Sequence, residues 1–147
     1  MANDRRLSIR VGREEAMKVT RASISGEKLC YIIVADKRVR YKLGRSPIVY
    51  IGTTRKGVGR LASSAADRAP DVLALRGVRS FTVRVVSCRG RQRVKTWTVL
   101  ERGLLLAFKE RFGEVPRCNS HGKGMKARDE FEYFQKSRLT RVLEELS

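Results

Sequence analysis

Two short apolar runs, Cys30-Tyr31-Ile32-Ile33-Val34 and Ile48-Val49-Tyr50-Ile51, constrain this chain more than any other feature. Each is rich in β-branched residues, and each is too short for a buried helix, so both read as strands covered by other elements. Between them Arg38, Arg40 and Lys42 alternate with Val39, Tyr41 and Leu43, the period of a strand with one basic and one apolar face. The connection is therefore either one long hairpin or a hairpin with an extra strand. Gly44 and Ser46-Pro47 punctuate the approach to the second run, where proline is tolerated at a strand's first residue.

The remaining elements are set by spacing. Lys56 to Ala69 is alanine-rich, with Val58, Leu61, Ala62, Ala65 and Ala69 at helical intervals, and the spacing predicts a helix that stops at Pro70. Val78 to Cys88 alternates, with Phe81, Val83 and Val85 on one side, and predicts a third strand followed by a polar loop, Arg89 to Lys95. Leu100, Leu104, Phe108 and Phe112 form a stripe at fourfold spacing, which predicts a second helix ending near Gly113, with Pro116 beyond. From Lys126 to Leu146 the apolar residues Phe131, Phe134, Leu139, Val142, Leu143 and Leu146 predict a closing helix. A further helix is predicted from about Arg13 to Arg21. The order strand, strand, helix, strand, helix, helix is that of an α+β fold, a small three-stranded or extended antiparallel sheet flanked by helices. A length of 147 residues predicts a single domain over 1–147, with residues 1–28 as an N-terminal extension and 122–147 as the C-terminal helix.

Charge narrows the function. Thirty-three Lys and Arg against fifteen Asp and Glu give a net charge of +18. Such a charge self-repels in the folded state, so a polyanionic partner is expected. Residues 1–28 hold seven basic and four acidic side chains and residues 122–147 hold six and five, which leaves +14 on the middle of the chain. Between Asp71 and Glu101 there is no acid at all, while Arg76, Arg79, Arg84, Arg89, Arg91, Arg93 and Lys95 fall there. Neutralising phosphates is what such a surface does best, and the expected partner is nucleic acid. No run of eighteen apolar residues offers a membrane span, and Met1 to Arg10 lacks the apolar stretch of a signal peptide, so a cytoplasmic protein without a membrane partner is expected. Cys30, Cys88 and Cys118, odd in number and widely spaced, fit reduced thiols rather than a disulfide framework.

The motif that gives this charge a chemistry is Tyr50-Ile51-Gly52, with Val49 before it and Arg60 eight residues after the glycine. It resembles the second half of the GIY-YIG nuclease signature, and Glu101 and Asn119 complete the pattern downstream. The resemblance covers roughly residues 29–121. It implies a three-stranded antiparallel sheet with the signature tyrosines on the first two strands, the arginine on the first helix and the glutamate on the helix after the third strand. It departs from the family at Leu29-Cys30-Tyr31, where only the tyrosine of the first triplet stands, and at Ser64, where many members carry histidine or tyrosine. Nineteen residues separate Tyr31 from Tyr50, an interval like that of restriction-type members.

Phosphodiester hydrolysis needs an activated water in line with the leaving oxygen and a counter-charge for the transition state. The resemblance implies a metal-dependent endonuclease acting on DNA, with one Mg²⁺ or Mn²⁺ ion per active site held by Glu101, Arg60 against the scissile phosphate, and Tyr31, Tyr50 and Asn119 completing the site. A single carboxylate suits Mg²⁺, which keeps several of its waters. Tyr31 is assigned as the general base and Tyr50 as the positioning hydroxyl; a phenol with a pKa of about 10 needs positive surroundings for such work. Arg38, Arg40, Lys42, Arg55, Lys56 and His121 are the candidate DNA contacts. No separate specificity domain is evident, so sequence choice is expected from a homodimer or a partner protein. The competing reading is a non-catalytic basic nucleic-acid-binding domain, or an inactive relative of the nucleases. In that reading Tyr50 is a core aromatic, Asn119 a turn residue, and Thr98-Val99-Leu100-Glu101 a capping box in which Glu101 bonds back to the backbone.

Overall fold

The computed structural model describes residues 7–15, 29–54, 57–88, 93, 95–119, 131 and 134–147. Among the described residues three strands, β1 (Leu29–Tyr41), β2 (Gly44–Thr54) and β3 (Phe81–Val86), and three helices, α1 (Gly57–Leu73), α2 (Thr96–Phe112) and α3 (Lys136–Glu145), make an α+β fold. The sheet is antiparallel in the order β2-β1-β3, with β1 central. Alternation along β1 divides the interior into two layers. Cys30 and Ile32 pack with Ile48 and Ile51 against Leu100, Leu104 and Phe108 of α2, while Tyr31 and Ile33 pack with Val49 against Leu61 and Val72 of α1.

The first connection is one long hairpin, with Lys42 and Leu43 at its tip. Arg38 and Arg40 are exposed while Val39 and Tyr41 turn inward, but Leu43 leaves the alternating pattern and stands 68% exposed in the turn. The tip is held by the end of α2. There the Leu43 N–H donates to the Phe112 carbonyl at 3.0 Å, and Gly113 ends the helix at φ 82°, with its N–H bonded to Lys109. A left-handed C-cap of this kind favours glycine.

Two irregularities interrupt the β1–β2 ladder. Ile33 faces Tyr50 and Val34 faces Ile48, so Val49 is an extra residue on β2. This bulge turns Val49 and Tyr50 to the same layer, the α1 side, which a regular strand would not do. The second shift lies between Val34 and Val39, opposite Pro47, which has no N–H to give the ladder.

Helix ends differ from the sequence expectation in three places. α1 runs through Pro70 to Leu73. The missing proline N–H loses one helical bond in the last turn only, the Pro70 carbonyl still accepts from Ala74 at 3.1 Å, and fully buried Val72 anchors the extra turn. The last helix begins at Lys136; Phe131 and Phe134 pack on the α2 layer from outside it, and the start of the predicted helix, residues 126–130, lies outside the described residues. Arg13–Glu15 are not helical, and the rest of that predicted helix also lies outside the described residues. β3 is likewise shorter than the predicted Val78–Cys88 strand.

α3 is held by Leu139 and Leu143, 2% and 1% exposed, which lie one turn apart against α2. Burial of each contributes about 1.5–3 kcal/mol. The ion pairs Arg111–Glu144 and Lys136–Glu110 beside them are partly or well exposed, and such pairs contribute roughly 0–1 kcal/mol. The apolar contact therefore decides where α3 docks.

Tyr41 ties the hairpin to the segment after α2. Its hydroxyl donates to the Ile48 carbonyl at 2.7 Å and accepts from the Arg117 N–H at 3.0 Å, and its ring packs edge-on to Phe108. Burial pushes its pKa up to about 12 from the ordinary 10.0. A folded-state pKa raised above the unfolded one means the native state holds the proton more tightly. The resulting stability is complete below pH 10 and is lost as pH rises toward 12. Thermal melts between pH 9 and 11.5 should show a falling melting temperature above pH 10, and Tyr41→Phe should flatten that fall.

Candidate active site

Tyr31 and Tyr50 meet on the α1 side of the sheet with ring centroids 5.8 Å apart and planes inclined at 38°. The register brings them there. Tyr31 faces Gly52 across the ladder, Tyr50 faces Ile33, and the bulge at Val49 sets the direction of Tyr50. Glycine at 52 is required by this contact: a Cβ there would lie 2.6 Å from Tyr50 Cε1 and 3.0 Å from both Cζ and Oη of Tyr31.

The side chains of Ser64, on α1, and of Tyr50 both act on the Tyr31 hydroxyl. Tyr31 is 2% exposed, whereas Tyr50 is half-buried. Burial, with the neighbouring Tyr50 hydroxyl as the next cause, pushes the Tyr31 pKa well above the ordinary range; the Ser64 contact and the charge of Arg68 oppose this but do not overcome it. Tyr31 thus keeps its proton at neutral pH.

Arg68 lies over the Tyr50 ring, 4.7 Å from guanidinium carbon to ring centroid. Arg60, Ser64 and Arg68 recur every four residues along α1, so they lie along one side of the helix, with Arg60 exposed in the first turn. The motif points to neither Arg68 nor Ser64, the latter standing in the sequence only as a departure from the family. The fourfold spacing from Arg60 is the signal that marks both.

Asn119 clasps the motif from the sheet edge. Its side-chain oxygen accepts from the Ile51 N–H at 3.0 Å and its amide donates to the Ile51 carbonyl at 2.9 Å, while the Cys118 N–H donates to the carbonyl of bulged Val49 at 2.9 Å. Residues 118 and 119 therefore satisfy the backbone that edge strand β2 would otherwise present to solvent. The residue between Tyr50 and Gly52 is fixed by this pair of bonds.

Glu101 stands on α2, in the layer across the sheet from the tyrosine rings, and its charge acts on Cys30, the residue before Tyr31. Desolvation, then Glu101 and Cys88, raise the Cys30 thiol far above its ordinary range. The capping-box reading of Glu101 does not hold: α2 starts at Thr96 with Lys95 at its N-cap, so Thr98 is already inside the helix and Glu101 lies beyond its first turn. Among the described residues Glu101 has no ion-pair or hydrogen-bond partner. Among the described residues no cluster of three or more His, Cys, Asp or Glu is found, so half-buried Glu101 would offer a hard cation a single carboxylate.

Of the predicted site residues, the fold brings Tyr31 and Tyr50 into contact and bonds Asn119 to the strand between Tyr50 and Gly52. Arg60 and Glu101 are carried on the two helices on either side of the sheet. Arg38, Arg40 and Lys42 are exposed along the hairpin, and Arg55, Lys56 and His121 lie outside the described residues. The three cysteines are free, and among the described residues no helix is long and apolar enough to cross a membrane. No protein-family model matches the chain, and no similar curated protein or solved structure is found.

Proposed function

We propose that this protein is a metal-dependent endonuclease that hydrolyses phosphodiester bonds in DNA, of the kind that the GIY-YIG signature marks. The observation that carries the reading is the contact of Tyr31, Ser64 and Tyr50 over Gly52, two tyrosines nineteen positions apart in sequence joined on one face beneath a helix bearing Arg60 and Arg68. A tyrosine pair with the Arg68 guanidinium beside it, under a helix that also carries Arg60, suits an attacking water and the phosphate it attacks.

Burial favours Tyr50 over Tyr31 as the residue that meets the water: Tyr50, the more exposed of the two, keeps the positioning role expected from sequence and orients the attacking water, and buried Tyr31 stands behind it. Arg60, exposed at the start of α1, meets the scissile phosphate with a planar, permanently charged fork. Asn119 keeps the edge strand in register so that Tyr50 does not drift. Glu101, carried on α2, would be the residue to hold Mg²⁺ or Mn²⁺, an ion that would supply charge neutralisation for the hydrolysis. Arg38, Arg40 and Lys42 extend the cationic surface along the hairpin.

Supercoiled plasmid incubated with the protein and Mg²⁺ tests the reading. Open-circular product is expected, with none in EDTA. Binding to a short duplex in EDTA should weaken by about 10³-fold between roughly 50 and 200 mM salt if six or more phosphates are contacted. Salt-insensitive binding, or a plasmid left intact in Mg²⁺ and Mn²⁺ alike, would overturn it.

A further inference from the structure

We propose that Arg68 is a positioning residue for the tyrosine site, acting through Tyr50; the inference rests on the nuclease reading above. Tyr50 projects from a bulge on an edge strand and is half-buried, so the ladder alone does not fix its ring. Two neighbours from different elements do so: Tyr31 on β1 at 5.8 Å and the Arg68 guanidinium on α1 at 4.7 Å.

Among the described residues Arg68 forms no ion pair, although Asp71 stands one turn further along α1. Its charge also acts on Tyr31 and Cys118. Arg60 differs in being exposed at the helix start, where a phosphate can approach it. The two arginines on this side of α1 thus divide the work, one toward DNA and one toward the ring that orients the water.

A cation over a tyrosine face helps to hold the ring, and loss of alignment at a reacting centre costs up to about 100-fold in rate. Arg68→Met keeps the aliphatic stem, and so the packing on α1, while removing the planar cation. It should lower kcat by roughly 10–100-fold with KM for duplex DNA unchanged. Arg68→Lys should restore little, because an ammonium does not reproduce the stacked plane. Combined with Tyr50→Phe, Arg68→Met should add almost nothing to the loss from Tyr50→Phe alone. A raised KM with a shallower salt dependence and intact kcat would instead make Arg68 a phosphate contact, and multiplicative losses would make the two residues independent; either result overturns the proposal. Aromatic NMR of ring-labelled tyrosine gives a reading that does not depend on cutting. The Tyr50 resonance should move in Arg68→Met, and an unmoved resonance refutes the stacking, whereas absence of cutting by the wild type bears on the nuclease reading alone.

Discussion

Glu101→Gln is expected to leave the melting temperature within about 2 °C of wild type while lowering Mg²⁺-dependent nicking by at least about 100-fold. A bound metal supplies several kcal/mol of transition-state stabilisation, and each 1.36 kcal/mol is a factor of ten in rate. Stability should be nearly untouched because Glu101 caps no helix and has no ion-pair partner among the described residues, and glutamine fills the same half-buried volume. Affinity for DNA should hold or rise, since the substitution removes a negative charge from a chain of +18. Loss of cutting with fold and binding retained isolates the carboxylate. Equal nicking by variant and wild type would remove Glu101 from the site.

Gly52→Ala should have the other large effect, and through geometry alone. The new methyl would lie 2.6 Å from Tyr50 Cε1 and 3.0 Å from the Tyr31 Cζ and Oη, so at least one ring must move. Tyr31, 2% exposed, has little room to yield. Overpacking of this kind costs about 1–3 kcal/mol, and the displaced hydroxyls should lower nicking by about 100-fold. Gly59→Ala is the matched control. No atom lies within 4 Å of a Cβ at position 59, and alanine in a helix should stabilise by about 0.5–1 kcal/mol with activity retained. If Gly52→Ala melts and nicks as wild type does, the tyrosine contact is not the organising feature of the site.

The sheet and α2 were legible because burial imposes a period on them. Leu100, Leu104, Phe108 and Phe112 mark the inner side of α2, and Gly113 marks its left-handed end. Helix ends governed by tertiary burial were not legible. Pro70 looks like a stop in sequence, yet Val72 has a buried place waiting and the helix continues to reach it. Phe131 and Phe134 share spacing with Leu139 and Leu143 but pack from outside α3, since an apolar side chain needs only to reach the interior and not to do so from a helix.

The site divides along the same line. Residue types in order along the chain pointed to Tyr31, Tyr50, Arg60, Glu101 and Asn119, but which tyrosine is buried depends on strand register. The bulge at Val49 sets the direction of Tyr50, and it exists only in the pairing of β1 with β2. Helix α1 shows the opposite case. Ser64 and Arg68 lie at simple helical spacing from Arg60, so the period of the helix alone places them beside it, although neither is a motif residue. The capping alternative for Glu101 turned on where α2 begins, and a start at Thr96 rather than after Thr98 excludes it.

Single-turnover cleavage of an end-labelled duplex, with protein in excess and occupancy measured in the same reaction, separates cutting from binding alone. With Mg²⁺ present, fully bound DNA should be converted to discrete shorter strands, and bound DNA in EDTA should stay whole. Full occupancy with intact DNA in the presence of Mg²⁺ or Mn²⁺ would contradict it, and would leave the tyrosine pair as part of a basic domain that binds nucleic acid without cutting it.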